Sequence, residues 1–256
     1  MKIVVLIKEV PDTYGERKLD ATSGRVDRGA SDAVIDEIDE RALEAALDFK
    51  DTSKNTEVVA MSMGPATATK ALRKALAMGA SSAVHVFDGT FAGADAQMTG
   101  AILSAALRRE GYDLVIAGNE STDGRGGVVP AMIAERLGIP HLTFLNSVEI
   151  GDSAVSGQRS GDGCTVAVEA ALPAVVSVTE RMPEARFPGF KGILGAKRKP
   201  LMEVSAAELG SELPTASLTL VHAVSERPAR VGGTKIFDEG DAGDKIAAFL
   251  AAGRLI

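Results

Sequence analysis

Ile3-Val-Val-Leu-Ile7 is an unbroken apolar run, mostly β-branched, with no polar residue alternating through it. A strand with one wet face would alternate, so this one is expected to be covered on both faces, as in a parallel sheet. Moving outward, the same signal returns at Glu57–Met63, Ser82–Phe87 and Asp113–Ala117. Helical periodicity fills the gaps. Ile38–Lys50 carries Leu43 and Leu47 one turn apart. Ala66–Met78 sets Leu72 and Leu76 on one face and Lys70 and Lys74 on another, with Gly79 placed to end it. Met98, Ile102 and Ala106 form a stripe within a helix from about Ala94 to Glu110, and Val128–Leu137 is the next helix. Strand alternating with helix predicts an α/β fold: a Rossmann-like parallel sheet flanked by helices, built from right-handed crossovers. Such sheets bind ligands beyond the carboxyl ends of their strands, here near Lys8, Met63 and Gly118.

The rhythm changes after Pro140. Leu142–Ile150, Thr165–Ala171 and Ala174–Thr179 read as strands, the first two separated by a turn-rich stretch, residues 151–163. They are expected to form an antiparallel meander added to the core. The polar stretch from Lys8 to Ser31, with Pro11-Asp12-Thr13, is too long for a simple turn and fits a hairpin or a functional loop. Residues 180–201 read as irregular with a basic end, and 202–225 show little pattern. The last 30 residues hold a Gly-Gly pair, an acidic stretch and a short helix from about Ala242 to Ala252; they read as a tail that packs on something else. The expected division is an α/β domain over 1–225 and a C-terminal tail over 226–256.

Composition excludes several classes. A net charge of −7 and a sequence pI of about 5.1 over 256 residues argue against a general nucleic-acid binder. A lone cysteine, Cys164, leaves no disulfide framework within the chain and no multi-cysteine metal or iron–sulfur site. His85, His141 and His222 lie far apart and show no HExxH spacing, so no metal site is expected. The apolar strand at the N-terminus has no charged n-region before it, and no run approaches ~20 apolar residues. The cytoplasm of a bacterium is the expected compartment.

The segment that carries chemistry is Ala117-Gly-Asn-Glu-Ser-Thr-Asp-Gly-Arg-Gly-Gly-Val-Val-Pro130. It leaves a buried strand and enters a helix. Glycines let a ligand approach the backbone. A helix start presents unpaired amides and the positive end of its dipole, which suit a phosphate. Arg125 adds charge; Asp123 is placed to accept hydrogen bonds from a sugar or to fix the loop. Neither GxxxxGK[ST] nor GxGxxG is present. From the residues alone, a phosphate site and a ligand-free glycine-rich turn both stay open. Ser121 and Thr122 have no histidine nearby in sequence and read as loop caps rather than nucleophiles.

Several segments, in order over nearly the whole chain, resemble the electron transfer flavoprotein beta family. They are Ile7–Asp12 (IKEVPD), Asp36–Glu44 (DEIDERALE), Ser62–Pro65 (SMGP), Lys74–Ala80 (KALAMGA), the Ala117–Pro130 loop, Leu172–Thr179 (LPAVVSVT), and Arg186–Pro200 (RFPGFKGILGAKRKP). The resemblance implies an adenine nucleotide hydrolase-like fold and a non-enzymatic electron carrier. It implies a heterodimer whose alpha partner holds most of the FAD, while this chain binds a structural AMP and lends contacts on the flavin side. The implied AMP pocket uses Leu6, Lys8, Asp36, Met63, Asn119 and Asp123, with the phosphate on the backbone of Gly126, Gly127 and Val128. Many relatives have Asn where Asp36 stands, and polar side chains in place of Gly126, Gly127 and Val128. Thr13, Tyr14 and Ile38 are expected near FAD. Residues 186–199 correspond to a recognition loop that docks on acyl-CoA dehydrogenases, from which electrons pass towards a quinone oxidoreductase. Phe190, Ile193 and Leu194 would be its apolar anchors and Lys197, Arg198 and Lys199 its steering charges. The same stretch also fits a packed loop with a solvated basic end.

Two other readings are carried. Bifurcating relatives bind a second FAD in place of AMP and oxidise NADH. They have a DGDTxQ-like loop where this chain reads Asp123-Gly-Arg-Gly-Gly-Val128, which favours AMP. A stand-alone ATP-binding, stress-type module would explain the sheet and the glycine loop but not residues 180–256.

Overall fold

The computed structural model describes residues 1–15, 17–225, 228–230, 232–233 and 235–256. The chain divides into two compact units, Met1–Ala223 and Val224–Ile256. The boundary expected at 225/226 falls beside Glu226, which lies outside the described residues.

The first unit is built on β1 (Lys2–Leu6). A short pair, β2 (Glu9–Pro11) and β3 (Ala33–Ile35), then forms a separate two-stranded antiparallel sheet around the excursion between them. The long polar stretch is therefore a hairpin whose tip is a loop of about 20 residues. There follow α1 (Glu37–Thr52), β4 (Glu57–Met63), a 3₁₀ turn (Ala66–Ala68) running into α2 (Thr69–Met78), β5 (Ser82–Val86), α3 (Ala96–Glu110), β6 (Leu114–Gly118) and α4 (Val129–Leu137). The strands β1, β4, β5 and β6 and the helices α1 to α4 lie within a few residues of their expected bounds, whereas β2 and β3 had none. Asp36, in extended backbone, caps α1 by accepting from the Ile38 amide, and Gly79, at φ 147°, ends α2.

The second half adds β7 (His141–Ile150), β8 (Ala154–Gly161), β9 (Cys164–Ala171), β10 (Ala174–Val178), α5 (Phe190–Ala196), β11 (Leu201–Val204) and α6 (Ala206–Leu209). The large sheet runs β11-β5-β4-β1-β6-β10-β7-β8-β9. All pairings from β11 to β7 are parallel, and only β7-β8 and β8-β9 are antiparallel.

The meander exists, but its members are β7, β8 and β9. Ala174–Val178 is a core strand, paired in parallel with β6 and β7 and buried along its whole length. The middle strand of the meander, β8, occupies the stretch read as turn-rich, and the 180–201 segment contains a short helix.

Alternation along β1 shows why the apolar run decides the fold. Ile3, Val5 and Ile7 join one core with Leu43 and Leu47 of α1 and Leu72 and Leu76 of α2. Val4 and Leu6 join the other with Met98, Ile102 and Leu107 of α3 and Ile133 of α4. Each face of the sheet is sealed by its own helices, and each fully buried side chain of that size contributes on the order of 2 kcal/mol.

The second unit contains α7 (Ala242–Ala252), which holds a Lys245–Asp241 ion pair at 2.8 Å and leaves Ile246 and Phe249 exposed. No helix among the described residues is long and apolar enough to cross a membrane.

Candidate functional site

The chain order reverses at β1. Strands β4 and β5 are added on one side of it; the chain then returns over the sheet through α3 and lays β6 on the other. At such a switch the loops leaving the two strands diverge to opposite faces and open a crevice between them. Lys8, just past β1, and Asn119, just past β6, mark its two sides.

The floor is held by a residue the sequence reading passed over. Asp39 Oδ2 accepts from the Lys8 amide at 2.8 Å and its Oδ1 from the Gly118 amide at 3.0 Å. One buried carboxyl thus bridges the carboxyl ends of β1 and β6. Burial first, then the neighbouring Asp36 charge, pushes Asp39 up to about 8, against the two amides and the Lys8 charge, which favour the carboxylate. Gly118 is required here. A Cβ would lie 2.5 Å from Asp39 Oδ1 and 3.2 Å from Ile38 Cγ2.

The loop from Asn119 to Val128 is fixed from below and from the side. Asp36, wholly buried, spends Oδ1 on the Ile38 amide at 3.0 Å and Oδ2 on the Thr122 amide and hydroxyl at 2.7 and 2.8 Å. The Lys8 ammonium donates to Ser121 Oγ at 2.9 Å and pairs with Asp123 at 2.7 Å. Two arginines reach in from the β2–β3 excursion. Arg28 pairs with Asp123 Oδ2 at 3.2 Å and donates to the Glu9 carbonyl at 3.1 Å; Arg17 donates to the Thr122 carbonyl and hydroxyl and to the Pro11 carbonyl. Ser121 and Thr122 therefore act as loop caps, as their sequence context indicated.

Burial alone would raise Asp123. The Lys8 hydrogen bond and charge, with Ser121 and Arg28, outweigh it and hold the carboxyl down at about 2. A folded-state value below the ordinary 3.8 means that the unfolded chain takes up the proton first as pH falls. The network's contribution is thus whole above pH about 4 and is lost on descending through about 2. Asp123→Asn is expected to be less stable than the parent at pH 6, with the gap closing between pH about 4 and 2. Denaturant midpoints across that range check it; a pH-independent gap would exclude the ion pairs as its source.

Beyond this frame the loop is open. A Cβ at Gly126 would meet nothing within 4 Å among the described residues. Gly127, at φ 66°, would bring a Cβ 3.3 Å from the Phe144 ring. Gly126 and Gly127 lead directly into α4, where the amides of the N-cap Val128 and of Val129 have no intrahelical acceptor. Asn119 is buried, and its side-chain Oδ1 has no hydrogen-bond partner among the described residues. An orphaned buried acceptor costs about 1–3 kcal/mol unless a donor fills the space. With the glycine-flanked amides, it makes the residues present a fit for a nucleotide carrying a phosphate.

The residues singled out from sequence separate into groups. Lys8, Asp36, Asn119 and Asp123 meet at the crevice, with Leu6 buried at the end of β1 and Met63, half-buried, at the end of β4. Ile38 packs beneath Gly118. Thr13 and Tyr14 stand exposed at a turn in which Asp12 accepts from the Tyr14 amide at 2.9 Å. Phe190, Ile193 and Leu194 are exposed on α5, away from the crevice, with Lys197 and Arg198 exposed just beyond it. Lys199 is turned inward, donating to the Leu76 and Ala80 carbonyls at 2.9 and 2.6 Å, so its charge serves the end of α2 rather than a surface.

Residues 24–209 match the Electron transfer flavoprotein domain family. The chain is 48% identical to the electron transfer flavoprotein subunit beta of Mycobacterium leprae over 99% of both chains. The chain belongs to the electron transfer flavoprotein beta-subunit family. Two proteins of lower identity are also similar. The subunit beta of Megasphaera elsdenii is 31% identical over the full length of both chains, and the caffeyl-CoA reductase-Etf complex subunit CarD of Acetobacterium woodii is 35% identical over 92% of each. Besides Asp39, the sequence reading missed Arg17, Arg28 and Phe144. Phe144 has left-handed backbone (φ 60°) and an amide bonded to Ser177 Oγ at 3.0 Å, neither of which leaves a mark in sequence.

Proposed function

We propose that this chain is the beta half of a heterodimeric cytoplasmic electron carrier. It binds AMP as a structural nucleotide, helps an alpha partner hold FAD, and docks on dehydrogenases such as acyl-CoA dehydrogenases. Electrons then pass towards a quinone oxidoreductase. The observation that carries the nucleotide part is the crevice between β1 and β6, where one loop holds a buried Asn119 oxygen with no hydrogen-bond partner among the described residues and, before α4, the glycines 126 and 127.

In this reading Leu6 and Met63 supply apolar wall, Asn119 and Lys8 supply polar contacts, and the amides of Gly126, Gly127 and Val128 receive the phosphate. Asp36 and Asp123 work through the loop they hold in place: their oxygens are committed to Thr122, Ile38, Lys8 and Arg28. The lost side-chain contacts are offset by close backbone approach, which glycine permits at 126 and 127. When bound, FAD supplies the redox chemistry. Thr13, Tyr14 and Ile38 are assigned to its side of this chain, and no side chain of this chain forms or breaks a bond. The tail from residue 226 onward is assigned to partner docking. Its α7 leaves Ile246 and Phe249 exposed, which suits burial against another polypeptide.

Co-expression with the alpha partner, followed by extraction and quantitation of nucleotides, tests this. One FAD and one AMP per heterodimer are expected. Two FAD with NADH oxidation would replace the reading with the bifurcating one. A flavin-free homodimer holding ATP would replace it with the stand-alone module.

A further inference from the structure

The segment proposed to dock on dehydrogenases presents apolar side chains to solvent on a rigid base. Phe187 and Phe190 are 93% and 77% exposed. Aromatic residues left in water on a free loop would collapse onto the nearest apolar surface, so something must hold the backbone beneath them. At its far end the segment is pinned by Arg73, which donates to the Ala196 and Lys199 carbonyls at 2.8 and 3.1 Å. In its middle Gly192 lies so close to α2 that a Cβ would sit 2.2 Å from the Ala77 carbonyl. At its near end stands Arg186.

Arg186 makes more charged contacts than any other residue in the segment. Its Nε donates to Glu44 Oε1 and Oε2 at 2.8 and 2.9 Å, Nη2 to Asp48 at 2.8 Å, and Nη1 to Asp51 at 2.8 Å. Its own amide adds a bond to Glu44 Oε2 at 2.9 Å. Glu44, Asp48 and Asp51 lie at i, i+4 and i+7 along α1, one stripe of one helix face. A single isolated surface pair contributes little, but a planar guanidinium engaged on every edge has one orientation left.

We propose that Arg186 is the positioning residue of the docking segment: anchored on the Glu44–Asp48–Asp51 stripe of α1, it fixes the backbone from which Phe187 and Phe190 project, so that a partner meets a preorganised apolar surface. This rests on the docking role proposed above. Rigidity of the free segment raises affinity because less ordering remains to be done on association.

The test uses the chain complexed with its alpha partner, an acyl-CoA dehydrogenase from the same organism as electron donor, and amide hydrogen exchange. Arg186→Ala is expected to speed exchange across residues 187–198 and to raise the dehydrogenase's KM for the carrier about ten-fold, with kcat moving less than about two-fold. Arg186→Lys, with a point charge in place of the fork, should recover only part of the loss. Should Arg186→Ala fail to fold, Asp48→Asn with Asp51→Asn removes two of the three carboxylates from exposed positions and is expected to shift both readouts in the same direction. Phe190→Ala is the control, raising KM without altering exchange. Unchanged exchange in the Arg186 and Asp48/Asp51 variants overturns the inference. So does faster exchange with an unchanged KM while Phe190→Ala still raises it. If Phe190→Ala leaves KM unchanged, the docking role itself falls.

Discussion

Replacing Asp39 with Ala is expected to lower stability by about 2–4 kcal/mol, a drop in Tm on the order of 10 °C. The reason is a count of donors. The carboxyl accepts the main-chain amides of Lys8, just past β1, and Gly118, at the end of β6, and both donors lose their acceptor when it goes. Asp39→Asn is the sharper variant. The amide keeps one acceptor but turns an NH₂ group toward the other main-chain N–H, so it should cost more than half as much as Ala despite its nearly identical shape. The pH dependence has a defined sign. A carboxyl raised from 3.8 to about 8 holds its proton more tightly in the folded chain than in the unfolded one. Its contribution to stability is therefore largest near pH about 4 and declines as pH climbs through about 8. The deficit of Asp39→Ala should be widest at acidic pH and shrink on the way to pH 8. Denaturant unfolding at pH 5, 6.5 and 8 measures this; a variant as stable as its parent at pH 5 would show that β1 and β6 stay joined without the bridge.

Asp39 also shows what sequence could and could not convey. It lies on one stripe with Leu43 and Leu47 at four-residue spacing, so its burial was legible: the face that buries both leucines buries position 39 as well. What the pattern does not state is what a carboxylate finds there, because Lys8 and Gly118 come from distant parts of the chain. The same holds for Arg17 and Arg28. Their positions in a polar stretch read as loop, and only the folded hairpin carries them over Thr122 and Asp123. The large-sheet strands of the first half, β1, β4, β5 and β6, by contrast, were legible to within a residue or two. A strand covered on both faces has to be apolar throughout, and few other structures demand that of five consecutive residues.

That criterion also explains the error in the second half. Ala174–Val178 is as continuously apolar as β1, and its composition already argued for a core strand rather than the end of a meander. β8 was hidden for the opposite reason. It sits at the solvated end of the sheet, where Ser, Gly, Gln and Arg serve as well as Val, and Gly157 is needed because a Cβ there would meet the Ser147 carbonyl at 2.2 Å. The better signal was the Asp162-Gly163 pair, with Gly163 at φ 69°, which turns β8 directly into β9 and is a strong short-range hairpin cue. At the candidate site, residues adjacent to strand ends were legible because topology places strand ends together. Asp36 and Asp123 were legible as members of the site but not as supports of its loop, since that distinction depends on which oxygens are already taken.

Gly118→Ala is the second large effect expected, and it is tied to the first. Its Cβ would lie 2.5 Å from Asp39 Oδ1 and 3.2–3.3 Å from two atoms of Ile38, within a buried strand that has partners on both sides. Overpacking of this kind costs about 1–3 kcal/mol. Here the displaced atom is also the acceptor of residue 118's own amide, so a cost at the top of that range is expected. The clash and the hydrogen bond share one oxygen, and the two substitutions should therefore not add. Once Asp39 is Ala, the space left by the carboxyl accommodates the new methyl group and only the contact with Ile38 remains. A double-mutant cycle should give a coupling of about 1–2 kcal/mol, with Asp39→Ala/Gly118→Ala more stable than the sum of the single losses predicts. Strict additivity would mean that the methyl is absorbed elsewhere, and that glycine at 118 is not what allows the carboxyl to reach both strands. If the coupling is found, Gly118 and Asp39 form one device: the missing side chain on β6 makes room for the acid that ties β6 to β1, and that tie sets the width of the crevice above it.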